Sequence, residues 1–176
     1  MNPDKHMDFQ AMRPREGLRT RHCLGLLFVA VFGAYLNGLG NGLVDFDDAV
    51  VLHPQGAFGI AGVKRLAEDF RSNPLRAFSG LAVSRPLSGL THMLDGALFG
   101  EDYWGRHLSN AAYHFLACCF AFLAAAELLG SRSGGLAAAL VFALHPVQTE
   151  SVAYLAGRRD VLCGMLSLAS LFLWLR

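Results

Sequence analysis

Charge is scarce in this 176-residue sequence, where Asp, Glu, Lys and Arg together make up 16%, against roughly 25% in soluble domains. Hydrophobic residues reach 53% and the mean hydropathy is +0.36. That balance disfavours a soluble globular enzyme. No basic stripe is present either: the net charge is +1, the pI is about 7.8 and the cationic residues are scattered, which removes the electrostatic case for nucleic acid. Cysteine is absent from the polar stretches. Cys23, Cys118, Cys119 and Cys163 all lie inside apolar segments, where the thiol acts as a small hydrophobe, so neither a disulfide framework nor a zinc site is implied. Repeats and low-complexity tracts are missing too. After the first apolar segment comes Tyr35-Leu36-Asn37-Gly38 and no A-x-A-like site, so that segment reads as a retained span rather than a cleaved signal peptide.

Long apolar runs are what the sequence does have. Arg13, Arg15, Arg19 and Arg21 precede the run from Cys23 to Leu39, and Asp45-Phe46-Asp47-Asp48 follow it. Arginines within about 15–20 residues of a span hold that end in the cytoplasm, so the acids are expected on the extracytoplasmic surface. Ala111 to Leu129 is a second span, Gly134 to Leu144 is about half the length a bilayer crossing needs, and Val161 to Leu175 is a last run closing on Arg176. The expectation is an all-α integral membrane fold with about four transmembrane or partial-membrane helices, near 23–44, 107–129, 134–145 and 160–176. Residues 1–22 form a basic cytoplasmic tail, residues 23–176 a partial membrane domain, and 45–106 an external loop.

Two amphipathic helices lying in the membrane interface, not crossing it, are expected in that loop, because residues three and four apart share a face. Val63 to Phe70 places Val63, Leu66, Ala67 and Phe70 on one side. Pro86 to Phe99 aligns Leu87, Leu90, Leu94 and Leu98. Asn73-Pro74 and Arg85-Pro86 mark turns, since the residue before proline is pushed out of the helical region.

Five blocks occur in a fixed order: Tyr35-x-Asn37-x-x-x-Asn41; Phe46-Asp47-Asp48; Arg85-Pro86-Leu87-x-x-Leu90-Thr91; His107-x-x-Asn110-x-x-x-His114; and His145-Pro146-Val147-x-Thr149-Glu150-x-Val152-x-x-x-x-Gly157-Arg158-x-Asp160. In this order they resemble the amino-terminal part of the transmembrane and tetratricopeptide-repeat-containing O-mannosyltransferases and their bacterial relatives, which are C-type glycosyltransferases. The resemblance runs from about Tyr35 to Arg176. It implies transfer of a sugar, expected to be mannose, from a polyprenyl-phosphate donor to protein Ser/Thr hydroxyls at the extracytoplasmic face of a membrane. It also implies an amino terminus in the cytoplasm, and a bacterial inner membrane is the expected location. The family continues with further spans and usually repeats, so this chain is expected to be a front portion, inactive alone.

The resemblance puts the general base at the paired acids, with Asp47 preferred and Asp48 its neighbour or a metal ligand. Two close carboxylates raise one another's pKa toward the working pH, and Asp45 is an extra acid outside the pair. Arg158 and Arg159 fall on the external side, against the positive-inside trend. Charges near membrane depth usually mark a pathway or a partner, and a lipid phosphate suits arginine's bidentate geometry. Arg85 is a further phosphate candidate, while His145, Glu150 and Asp160 are candidate site residues, Glu150 also as a ligand should a divalent metal take part. Against this stand plainer readings: a solvated turn for the acids, and cytoplasmic snorkelling for the arginines. His92, Asp95, His107 and His114 are candidates to line a cavity, and Asn37 and Asn41 are expected mainly to pack the first span. The rival classes are an ion- or proton-coupled transporter subunit using Asp95, His114 and Glu150, and a non-catalytic relic.

Overall fold

A computed structural model describes residues 18–43, 67–68, 71–72, 86–100 and 102–176, and every described element is helical. Helix α1 spans Thr20–Tyr35 and tightens into a 3₁₀ turn over Leu36–Gly40. Helix α2 spans Pro86–Phe99, α3 Tyr103–Leu129, α4 Arg132–Leu144, α5 Gln148–Ala153, and α6 Arg158–Leu175 after a 3₁₀ turn at Leu155–Gly157. Residues 67–68 and 71–72 are helical, on the first of the two expected loop helices and just past it.

The core follows from residues spaced by three or four on three helices. Cys23, Leu27 and Val31 of α1 meet Cys118, Phe122 and Ala126 of α3, with Leu136, Ala139 and Ala143 of α4 closing the cluster. Helix α3 ends where Gly130 takes the left-handed conformation, φ 59°, and its amide caps the last turn, a geometry glycine adopts without the penalty a Cβ would carry. The Ser131 hydroxyl then accepts from the Gly134 amide at 3.2 Å and starts α4. Gly135 lets α4 approach closely, since a Cβ there would lie 2.8 Å from the Ala126 backbone nitrogen. Helix α4 thus runs back along α3, and α6 packs along α3 from its amino-terminal end.

One correction to the sequence reading follows. The four expected crossings reduce to two helices of sufficient length and apolarity among the described residues, Thr20–Gly40 and Tyr103–Leu129. Helix α4 has 13 residues, or about 20 Å at 1.5 Å per residue, short of a 30 Å hydrocarbon core. Helix α6 opens on Arg158, Arg159 and Asp160, so its 18 described residues do not match the length and apolarity of those two. Helix α2 keeps the amphipathic pattern expected of it: its leucine stripe faces outward, with Leu87, Leu90, Leu94 and Leu98 from 42% to 74% exposed. Ser88, Thr91, His92 and Asp95 are the buried side. A helix that turns its polar face to the protein and its leucines away suits a hydrocarbon surrounding rather than water.

Candidate functional site

One end of the helical assembly gathers most of the described chemistry. The carboxy-terminal end of α1, the first three turns of α3, α2, and the connection from His145 to Asp160 all meet there. At its centre Arg158 is fully buried. Its guanidinium pairs with the Asp95 carboxylate at 2.5 Å. Nε donates to Asn110 Oδ1 at 2.6 Å and Nη2 to the Arg106 carbonyl at 2.9 Å. The Tyr113 ring lies 5.8 Å from the guanidinium carbon. Asp95 is held in turn by the Ser109 hydroxyl, which donates to Oδ1 at 2.7 Å. Asn110 uses its other end on the turn before α6, donating to the carbonyls of Val152 at 3.1 Å and Tyr154 at 3.4 Å.

This network joins α2, α3, the α5 turn and α6 through charge-assisted bonds, which are the strong kind. Local sequence makes it possible. Gly157 lets the chain fold back on α5, because a Cβ there would sit 2.9 Å from the Ser151 carbonyl oxygen and 3.1 Å from that of Glu150. Arg106 donates to the Gly100 carbonyl at 3.1 Å and so ties the end of α2 to α3.

The sequence candidates separate accordingly. Arg158 was expected to face a lipid phosphate, but its charge is committed to Asp95 and its donors to Asn110 and Arg106. Arg159 is the arginine with an accessible side chain, 39% exposed and 3.6 Å from the Asp160 carboxylate. Glu150 and Asp160 are exposed. His145 is exposed at the end of α4, where its Nδ1 accepts from the Val147 amide at 3.2 Å, a local turn contact. His114 meets the Ala143 carbonyl at 3.2 Å and packs edge-on against Tyr35, stitching α3 to α4 and α1. His107 is buried on α3. Asp45, Asp47, Asp48 and Arg85 lie outside the described residues. No group of three His, Cys, Asp or Glu side chains converges as a metal site among the described residues.

His92 is the unexpected member. It is 2% exposed with neither ring nitrogen bonded. Burial first, then the Arg158 and Arg106 charges, push its pKa down to about 3, so the ring is neutral at physiological pH. Asn110 had no role assigned from the sequence, and Asp95 was expected only as a cavity-lining or transporter candidate, not as the partner of Arg158. The signal was a carboxylate in an otherwise apolar and small-residue helix, which has to find a cation when buried.

Beside this network lies a cleft of about 360 Å³, bounded by Tyr35, Asn37, Gly38 and Asn41 at the end of α1 and by Thr149 and Ala153 of α5. Asn37 and Asn41 are exposed to it, in place of the packing role expected of them.

The chain is 38% identical over 143 residues to the protein O-mannosyl-transferase Tmtc1 of Drosophila melanogaster, covering 79% of this chain and 16% of that protein. It is 34% identical to Drosophila Tmtc2 over 158 residues, 88% of this chain and 16% of that protein. Mouse TMTC3 is 30% identical over 146 residues, 82% of this chain and again 16% of the relative. The helical fold and the ordered blocks thus go with a protein-glycosylating class of relatives. The chain resembles the TMTC-type protein O-mannosyl-transferases over most of its length, and it spans about one sixth of theirs. These relatives are animal proteins and lend no support to the bacterial inner membrane expected from the sequence. No protein-family model and no solved structure matches the chain.

Proposed function

We propose that this chain is the amino-terminal membrane portion of a glycosyltransferase that moves mannose from a polyprenyl-phosphate carrier to serine and threonine hydroxyls of proteins at the extracytoplasmic face. The observation that carries the reading is the similarity, over 79–88% of the chain, to proteins named protein O-mannosyl-transferases. Residence in a bilayer is supported by the two long apolar helices and by the outward leucines of α2. In this reading the arginines before α1 hold residues 1–22 in the cytoplasm, and the end that carries the Arg158 network faces outside with residues 45–106.

Chemically, the acceptor hydroxyl gives up its proton to a carboxylate as its oxygen forms a bond to the anomeric carbon, and the lipid phosphate departs from the opposite side with the bonding electrons. Asp47, six residues beyond Asn41, is the base in this proposal, and Asp48 tunes its pKa or, with Glu150, holds a divalent metal if one takes part. Arg159 and Arg85 are the phosphate-facing cations. Arg158 has a different part: with its charge committed inside, it fixes the chain that presents Thr149, Glu150 and Arg159.

The test is transfer of labelled mannose from polyprenyl-phosphate mannose to a serine- and threonine-containing acceptor by a full-length version carrying this stretch. Asp47→Asn is expected to lower turnover about 10²–10⁴-fold with donor binding kept, and Asp45→Asn to do much less. Wild-type turnover in Asp47→Asn moves the base elsewhere. No mannose transfer by the unsubstituted protein ends the proposal.

A further inference from the structure

We propose that the cleft between the end of α1 and α5 seats the hexose of the carrier-linked donor, an inference that rests on the transferase reading above and assigns its sugar site. The cleft measures about 360 Å³, at the small end of the roughly 300–1,000 Å³ typical of ligand pockets. It is sized for one sugar ring rather than an oligosaccharide.

The lining chemistry is that of a neutral polyol site. Tyr35, Asn37, Asn41 and Thr149 supply a phenol, two carboxamides and a hydroxyl, and none of the described lining residues carries a charge at neutral pH. A phosphate would find no cation among them, whereas each carboxamide offers both donors and acceptors to a ring of hydroxyls. The Asn37 and Asn41 carboxamides make no hydrogen bond to a described residue, so they are available. The Tyr35 phenol and the Thr149 hydroxyl both line the cleft, one from each wall.

The 3₁₀ turn is what opens the cleft. With three residues per turn, positions three apart stack on one face, so Tyr35, Gly38 and Asn41 line up along it. Gly38 leaves the gap between the two polar side chains. A Cβ there would approach Asn41 Nδ2 at 3.8 Å, and anything larger would occupy the sugar's space. A regular α-helix would carry Asn41 off that face. The two walls also come from different ends of the sequence, the first and last of the ordered blocks, and only the docking of α4 and α5 onto α1 brings them together.

The experiment compares two probes on the 176-residue chain in lipid nanodiscs: polyprenyl-phosphate mannose and polyprenyl phosphate without sugar. The wild-type chain is expected to bind the mannosylated lipid about tenfold or more tightly than the bare phosphate. Thr149→Val and Asn41→Leu should each weaken the mannosylated lipid about two- to tenfold, one neutral hydrogen bond apiece, while Thr149→Ser holds near wild type. Gly38→Val should erase the preference between the two lipids. In every variant the affinity for bare polyprenyl phosphate stays unchanged, which also reports an intact fold. Equal binding of the two lipids by the wild-type chain overturns the sugar site and leaves the transferase reading standing, as does a preference that survives both Gly38→Val and Asn41→Leu. Binding of neither lipid overturns the sugar site as well, and the transferase reading is then decided by mannose transfer in the full-length version.

Discussion

Replacing Asp95 by leucine should be among the most damaging single changes in the described part of this chain. Arg158 is 0% exposed and the Asp95 side chain 5%, so solvent cannot take over when the carboxylate goes. The remaining partners, the Asn110 carboxamide and the Arg106 carbonyl, are neutral. Breaking a buried pair by removing one member costs about 3–5 kcal/mol, because an uncompensated charge is left behind. Removing both charges, as in Asp95→Leu with Arg158→Met, should cost less than the sum of the single changes, with a coupling of about 2–3 kcal/mol. Cys23 and Cys118 are fully buried, so in a Cys119→Ser, Cys163→Ser background, which removes the two more accessible thiols, their reaction with a thiol dye during heating in detergent reports unfolding. Two outcomes would refute the reasoning: a loss below about 1 kcal/mol in Asp95→Leu, or strictly additive costs in the double variant.

A second expectation concerns acid. The folded pKa of His92 lies below its unfolded value near 6.5, so the ring is neutral in both states above pH 6.5 and contributes no slope there. Between pH 6.5 and about 3 the unfolded chain takes up a proton that the folded chain refuses, and stability falls by up to about 1.4 kcal/mol per unit. Unfolding in detergent at pH 7 and pH 5 should therefore show His92→Gln losing about 2 kcal/mol less than wild type; identical losses would sink the argument. The third is a glycine pair. Gly157→Ala should destabilise by about 1–3 kcal/mol, since its Cβ meets the Ser151 and Glu150 carbonyls, which cannot turn aside. Gly164→Ala, in the interior of α6 with nothing within 4 Å, should stabilise by about 0.5–1 kcal/mol, and equal effects of the two in the same thermal assay would argue against the tight turn.

Much of the helix plan was legible because apolar runs and turn residues are local signals. The ends of α1 and α4 fell within a few residues of the runs that announced them, α3 ended with its run but began eight residues ahead of it, and Gly130-Ser131 marked the reversal. Local pattern marked the interfacial stripe of α2 but not what its other face would meet: the burial of His92 and Asp95 rests on residues far along the chain. Among the described residues two of the four expected crossings match in length and apolarity: hydropathy over Val161–Leu175 is high, but the helix that contains it starts three residues earlier on charged side chains. The Arg158 network was hidden by sequence distance, its partners lying 63 residues away at Asp95 and 48 at Asn110. The arginine that violated the positive-inside trend did mark something unusual. It marked a buried partner.

That partner explains how residues with no access to a ligand bear on one. The connection between α4 and α6 is held by Asn110 at the Val152 and Tyr154 carbonyls and by Arg158 at its far end. Thr149 on the cleft wall and Arg159 at the surface sit on that same short piece of chain. Its only regular structure is a six-residue helix and a single 3₁₀ turn, too short to hold a geometry on propensity alone. The buried charges therefore supply what helix length does not. Asp95 is a positioning residue in this account: loosening it shifts the Thr149 wall against Tyr35 and Asn41, and the sugar site widens without any residue that touches the sugar having changed.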